Sequence, residues 1–388
     1  RFILLKPGAG LDQVVPEWLT EQADLKTLAR WTRRSRASYP SAFSPRRYQG
    51  IFMPSHRFRF LLVFLLGACI SPCMAGDTAV AADIDRRIAI TIDDLPWVVG
   101  SDQAWEDRNS LPAKSIRQHH RRLIGAMKKA KAPVIGFVNE GKLYSGDLLQ
   151  KNRLAMLNDW LDAGFELGNH TYGHVSLHDV GLQAYEDNIL KGEQQLRPML
   201  ARHEQVPRWF RHPYLRAGRT LEDKAALQQF LTEHGYRIVP VTVDNGEWVY
   251  AFAYRKVLAK GGDNKETLAR LRHDYVPYMV AKVDFFEHAS INLLGYNLPQ
   301  ILLMHANELN ADTYGDLIAA IRAKGYRFVT LEESMCDPAY QRADTFTGRF
   351  GPSWIHRWAL AEKKPKAFYE GEPVVPQWVL DLAEVESE

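Results

Sequence analysis

The stretch IAITIDDLPW, residues 88–97, ends an apolar run on two adjacent carboxylates, Asp93 and Asp94. Neighbouring side chains on an extended backbone point to opposite faces. The two acids can therefore take different partners, one holding a cation while the other stays free to accept a proton. Taken alone, the stretch reads equally well as a strand running into a polar turn, where Asp and Pro are ordinary residues. Other residues with the same kind of placement change the balance. His170 and His174 stand four apart in HTYGH, Arg211 and His212 follow WF, Asp244 closes RIVPVTVD, and His305 closes QILLMH. If the 170–174 loop curls into a helical turn, positions i and i+4 share a face. Two imidazoles and one carboxylate would then leave a tetrahedral zinc one open position for water. A dication nearby would also make the repulsive carboxylate pair tolerable.

The elements that must position these residues alternate between two periods. Short apolar runs lead up to Asp93, cover 134–138, lead up to His170, cover 209–213, lead up to Asp244, cover 300–306 and end at Leu331. Helical patterns fill 114–131, 148–163, 182–201, 221–234 and 311–324. Seven strands separated by helices predict an α/β fold with a parallel sheet closed or nearly closed on itself. Short continuous apolar strands fit burial on both faces. In parallel barrels the reactive groups gather at the C-terminal strand ends, which is where the acids and imidazoles fall. Between Asp244 and Gln300, helical patterning at 252–258 and 268–291 predicts a helical insertion over about 250–298, before the sixth strand. The tail beyond Glu333 carries Trp354, Trp358 and Trp378, and packing against the barrel is expected for them rather than exposure to stack on sugars. His119 and His120, in RQHHRRL, read as part of a solvated basic face.

The chain of 388 residues has a formal charge of +3, unevenly spread. Residues 1–52 hold nine Lys or Arg against four Asp or Glu, so the basic balance belongs to the leader and argues for no nucleic-acid partner. No Gly-rich phosphate loop or dinucleotide fingerprint occurs. Met53 opens MPSHRFRFLLVFLLGACISPCMAGD, a basic start, an apolar run and then small residues, the layout of a secretory signal peptide. The run is shorter than the ~20 residues of a membrane-spanning helix. The expected organisation is a disordered, non-native upstream extension (1–52), a signal peptide (53–75), a barrel (76–335) and a C-terminal tail packed on it (336–388). Cleavage after Ala75 would give a soluble chain. Alternatively LGAC, residues 66–69, resembles a bacterial lipobox and would make Cys69 a lipidated anchor. Both readings predict export to the periplasm, the envelope or the exterior. In the soluble case Cys336 alone remains of three cysteines.

TIDDLP, HTYGH, RHPY, DNGEW and LMH, in that order, resemble the five motifs of the polysaccharide deacetylases, the NodB homology domain of carbohydrate esterase family 4. The resemblance covers about residues 86–335. It implies a distorted (β/α)7 barrel and the removal of N- or O-linked acetyl groups from a carbohydrate, with one divalent metal, zinc first. By resemblance, Asp94, His170 and His174 look like the metal ligands and Asp93 like the general base acting on the nucleophilic water. Arg211 looks like the partner that holds Asp93 ionised. Tyr214 would offer its backbone N–H to the oxyanion, and His305 looks like the general acid, with Asp244 supporting its charge. Leu303 and Trp248 would line the pocket for the acetyl methyl. Two departures bear on the substrate: Leu95 stands where the family usually has Gly, and Glu247 where it commonly has Asp. The implied partner is an acetylated carbohydrate. A non-sugar amide hydrolase on the same fold, or a non-catalytic carbohydrate-binding envelope protein, are the competing readings.

Overall fold

The computed structural model describes residues 84–99 and 111–388. The upstream extension, the signal peptide and the lipobox cysteine lie outside those residues. Seven parallel strands form one sheet: β1 (Arg87–Leu95), β2 (Val134–Val138), β3 (Glu166–Asn169), β4 (Trp209–Phe210), β5 (Arg237–Ile238), β6 (Gln300–His305) and β7 (Arg327–Phe328). Their order is β5-β4-β3-β2-β1-β6, with β7 also on β1. Residues Ile88 to Leu95 of β1 are all buried, as a central strand covered on both faces requires.

The curled sheet closes through a broken strand. β5 stops at Ile238, two residues before Pro240, which has no N–H to give a ladder. Pairing resumes at Val243, which bridges to Leu302 of β6. There the N–H groups of Thr242 and Val243 both reach the Ile301 carbonyl at 3.1 Å. One segment thus touches β4 at its start and β6 at its end. The seven-stranded barrel expected from the sequence is present, and this break is the source of its distortion.

Helices Ala113–Ala130, Lys151–Asp162, Leu221–Glu233 and Glu308–Ala323 follow the sequence pattern. The single helix expected over 182–201 is two, Leu182–Lys191 and Leu196–Arg202. They part at Gly192, where the backbone of the HTYGH loop passes so close that a β-carbon would stand 2.8 Å from the Tyr172 nitrogen. The insertion before β6 is helical, Glu247–Lys260 and Lys265–Leu294. His119 and His120 are not on a solvated face. His120 is fully buried, lies in one stripe with Ile116, Leu123 and Met127, and meets the Asp159 carboxylate at 3.1 Å. In the tail, Trp354 and Trp358 are buried, and Arg270 stacks 3.9 Å from the centre of the Trp378 ring. Among the described residues, no helix is long and apolar enough to cross a membrane.

Candidate active site

Strand register brings the first two groups together. β1 and β6 run parallel with Thr91 beside Leu303 and Asp93 beside His305. Alternation along each strand then puts Thr91, Asp93, Leu303 and His305 on one face. Arg211, fully buried at the end of β4, reaches the Asp93 carboxylate with Nη1 at 3.3 and 3.4 Å. Its Nη2 donates to Thr91 Oγ1 at 3.1 Å, and the guanidinium lies 4.7 Å from the centre of the Phe137 ring. Burial pulls the Arg211 pKa down and Asp93 opposes this.

Asp94 leaves the strand. Its backbone is left-handed, φ 71°, and the β1–β2 register shifts between Ile92 and Leu95. That turn separates two carboxylates that the sequence places side by side. Asp94 Oδ1 faces His174 Nε2 at 3.4 Å and His170 Nε2 at 3.9 Å. Thr171 and His174 are also left-handed, φ 65° and 52°. The histidines therefore meet through two sharp turns and not through the helical turn expected for 170–174. Such conformations cost about 1–3 kcal/mol each for non-Gly residues and persist only where the surroundings hold them. Here Asn169 Oδ1 accepts from Thr171 N, Asn188 Oδ1 from Gly173 N, and Tyr172 O from Gly141 N, each at 2.8 Å.

Asp94, His170 and His174 offer ligand atoms within 4.8 Å of one another. Their chemistry fits a divalent metal. His170 Nδ1 sits 2.8 Å from the Arg211 carbonyl; donating there leaves Nε2 as the free lone pair, the usual way a ligand imidazole is oriented. Burial pushes both imidazoles down to about 4, so they are neutral at pH 7, as ligands must be. Burial alone would raise the Asp94 carboxyl, but Lys142, Nζ 3.5 Å away, and the nearby histidines hold it below the usual carboxylate range. Sequence reasoning missed Lys142; nothing in NEGKL marks it before the fold brings it under Asp94.

His305 is treated differently. Its Nδ1 lies 2.6 Å from Glu247 Oε2, and Glu247, fully buried, also accepts from the side chains of Asn307 and Asn310. Burial lowers the imidazole's pKa, but the Glu247 carboxylate outweighs it, leaving a value of about 9. The residue expected in this role, Asp244, does not take it. Asn245 turns the chain, donating to the Leu303 carbonyl at 2.9 Å and accepting from Glu247 N at 3.1 Å. Glu247 is thereby delivered to His305 from the first turn of the inserted helix. Asp244 accepts from Asn245 N, near Lys282, and burial raises its carboxyl to about 6. The available signal was the Glu in DNGEW, noted only as a departure.

Tyr214 and Leu215 form a further left-handed turn, φ 55° and 54°. The Tyr214 ring packs 4.5 Å from the His174 ring, centre to centre. Among the described residues, none accepts a hydrogen bond from Tyr214 N–H. Leu303 is buried beside His305 on the same face. Trp248 follows Glu247, half-buried, with its ring edge-on to Phe252.

Residues 81–239 match the family model described as polysaccharide deacetylase. That segment, about two-fifths of the chain, is similar to a polysaccharide deacetylase domain. The matched segment includes the two acids, both histidines, Arg211 and Tyr214, and ends before Glu247 and His305. A curated relative, the peptidoglycan-N-acetylglucosamine deacetylase of Bacillus cereus, is 26% identical over 174 residues, 43% of this chain and 48% of that protein. The chain thus spans about half the length of that relative. A peptidoglycan N-acetylglucosamine deacetylase crystallised with a hydroxamate-type benzamide superposes with TM-score 0.40 at 20% identity, covering 64% of this chain and 88% of the other. A family 4 pseudoenzyme mutant with restored activity, whose wild type comes from Bacillus anthracis, gives TM-score 0.40 at 17% identity over 65% and 68%.

Proposed function

We propose that this chain is a metal-dependent hydrolase that removes acetyl groups from an envelope or extracellular carbohydrate. One observation carries the reading: Asp93 and His305 are register partners on adjacent strands, beside the Asp94, His170 and His174 cluster. A carboxylate and an imidazole thus flank three ligand-type side chains. The B. cereus relative's name points to acetylated glucosamine of peptidoglycan as the first substrate to try.

Asp94, His170 and His174 would hold the metal, zinc by its preference for such a set. When bound, zinc lowers the pKa of its water to ~7 and polarises the acetyl carbonyl. Asp93, paired with the Arg211 guanidinium, takes the proton of the nucleophile. Tyr214 N–H, without an acceptor among the described residues, donates to the oxygen that gains charge, the kind of preorganised donor worth ~10²–10³ in rate. His305, held protonated by Glu247, gives its proton to the leaving nitrogen or oxygen. The acid and base differ in environment, which keeps their protonation states apart at one pH. Leu303, two residues before this acid on β6, and Trp248, next to Glu247 in the chain, would bound the acetyl methyl.

The test is acetate release from N-acetylglucosamine oligomers, peptidoglycan fragments, O-acetylated glycans and small acetamides, after chelation and after zinc is restored. Release only from sugars, and only with metal, is expected. Turnover of small acetamides alone would favour the amide hydrolase. Binding of glycans without any release would leave a carbohydrate-binding protein.

A further inference from the structure

We propose that the C-terminal segment beyond the barrel belongs to the catalytic apparatus, with Gly351 and Arg357 as positioning residues that set the Tyr214 N–H. The inference rests on the deacetylase reading, in which that N–H meets the developing oxyanion.

Two successive non-glycine residues in left-handed backbone, Tyr214 and Leu215, need an outside constraint to stay there. The tail supplies it. Arg357, buried, donates Nη2 to the Leu215 carbonyl. Its Nη1 pairs with Asp344 at 2.8 Å, and Asp344 is held in turn by Lys224 at 2.7 Å. The guanidinium lies 3.8 Å from the centre of the Trp354 ring. The segment is itself tied to the barrel's closing strand, Ser353 Oγ donating to Thr242 O at 2.7 Å and Trp354 N to Val241 O at 2.9 Å.

Gly351 makes the second contact. It presses on the Tyr214 carbonyl so closely that a β-carbon would collide with that oxygen and stand 2.8 Å from Leu215 Cβ. Its φ is not in the left-handed region, so the glycine answers to close approach and not to its own backbone. These two contacts hold the peptides that follow Tyr214, and Leu215 N donates back to the His212 carbonyl at 3.1 Å, so the turn that carries the Tyr214 N–H is held at both ends. That geometry aims the N–H away from every described acceptor.

The experiment measures kcat, KM, bound zinc and thermal midpoint for full-length Gly351→Ala, Arg357→Lys and Arg357→Met, on whichever acetylated probe the wild type turns over fastest, beginning with an N-acetylglucosamine tetramer. Displacing a donor by about an ångström costs on the order of 10²-fold. Gly351→Ala should lose about that in kcat, with KM within about twofold, zinc near wild type and a lowered midpoint. Arg357→Lys, which keeps the charge for Asp344, should fall between wild type and Arg357→Met. A kcat within threefold of wild type in folded Gly351→Ala would overturn the proposal. So would a loss carried wholly by KM, or one matched by lost zinc. If Gly351→Ala does not fold, Arg357→Lys decides by the same split. A zinc-loaded wild type that releases no acetate would bring down the deacetylase reading and this inference with it.

Discussion

The two sides of the site handle imidazole in opposite ways. His170 and His174 are buried among groups that leave them neutral, with pKa values near 4. His305, with 18% of its side chain exposed, is also pulled down by burial but is lifted to about 9, chiefly by the Glu247 carboxylate. Burial is common to all three, so it does not set the outcome. The difference lies in how the nearby acids are committed: Asp93, 3.7 Å from His170, is already paired with Arg211. Asp94 is shared between two imidazoles and Lys142, whereas Glu247 gives one oxygen to His305 and steadies the other on two asparagine amides. A domain that needs both neutral donors and a proton donor within one pocket can obtain them by distributing its carboxylates.

The harshest way to break this comparison is to neutralise the two adjacent acids one at a time. Asp94→Asn should lose bound metal and, with it, nearly all activity, part of which returns with excess zinc. Asp93→Asn should keep its metal and still lose ~10²–10⁴ in turnover, the usual weight of a general base, with no rescue by zinc. Turnover across a zinc titration, with metal counted in parallel, reads both. If Asp93→Asn is the variant that loses metal, the assignments are exchanged.

A smaller effect is expected at Glu247. His305 with a raised pKa is protonated through neutrality and loses its proton as pH rises through about 9. Acid catalysis should therefore fall on the alkaline side near that pH. The same sign holds for stability: the His305–Glu247 contribution is complete below the unfolded value of 6.5 and is lost as pH climbs through the folded one. Glu247→Gln removes the largest opposition to burial and leaves only Asp94 and Asp93 to oppose it, so the alkaline limb should move toward neutral pH, with kcat at pH 7 lower by about tenfold to a hundredfold. A pH–rate profile with the limb unmoved would show that Glu247 does not govern His305.

Much of this arrangement was legible in the sequence because it is local. Apolar runs ending on Asp93, His170, Arg211 and His305 marked the strand ends, and strand ends in a parallel sheet share one rim. The helical insertion showed through its length. What escaped depended on long-range geometry. Glu247 reaches His305 only because Asn245 turns the chain against β6. Lys142 meets Asp94 across two loops, and Gly351 meets Tyr214 across 137 positions of chain. His120 was readable in principle: Ile116, Leu123 and Met127 flank it at helical spacing, but the surrounding arginines masked the stripe. The break at Pro240 was also written in RIVPVTVD, as a proline inside a strand pattern.

The smallest predicted effect separates Glu247 from Asp244, the residue that the family resemblance would pair with His305. Asp244 belongs to another cluster. Its carboxylate accepts from Asn245 N at 2.9 Å, the Lys282 charge does most to lower its pKa, and Glu372 and Glu388 push it up. An Asn side chain can keep the contact to Asn245 N. Asp244→Asn should therefore hold kcat within about twofold and leave the alkaline limb where the wild type has it. Its mark should appear in stability and at lower pH. A carboxyl raised to about 6 keeps its proton longer in the folded chain than in the unfolded one, so its contribution is greatest below the unfolded value of 3.8 and declines as pH rises through 6. The Asn variant lacks that decline, and its thermal midpoint should change less between pH 4 and 6 than the wild type's. Profiles of rate and midpoint for Asp244→Asn and Glu247→Gln, recorded side by side, decide the matter. If the alkaline limb moves in Asp244→Asn and holds in Glu247→Gln, the carboxylate that controls the acid is Asp244, and the contrast between the two sides of the site is drawn around the wrong residue.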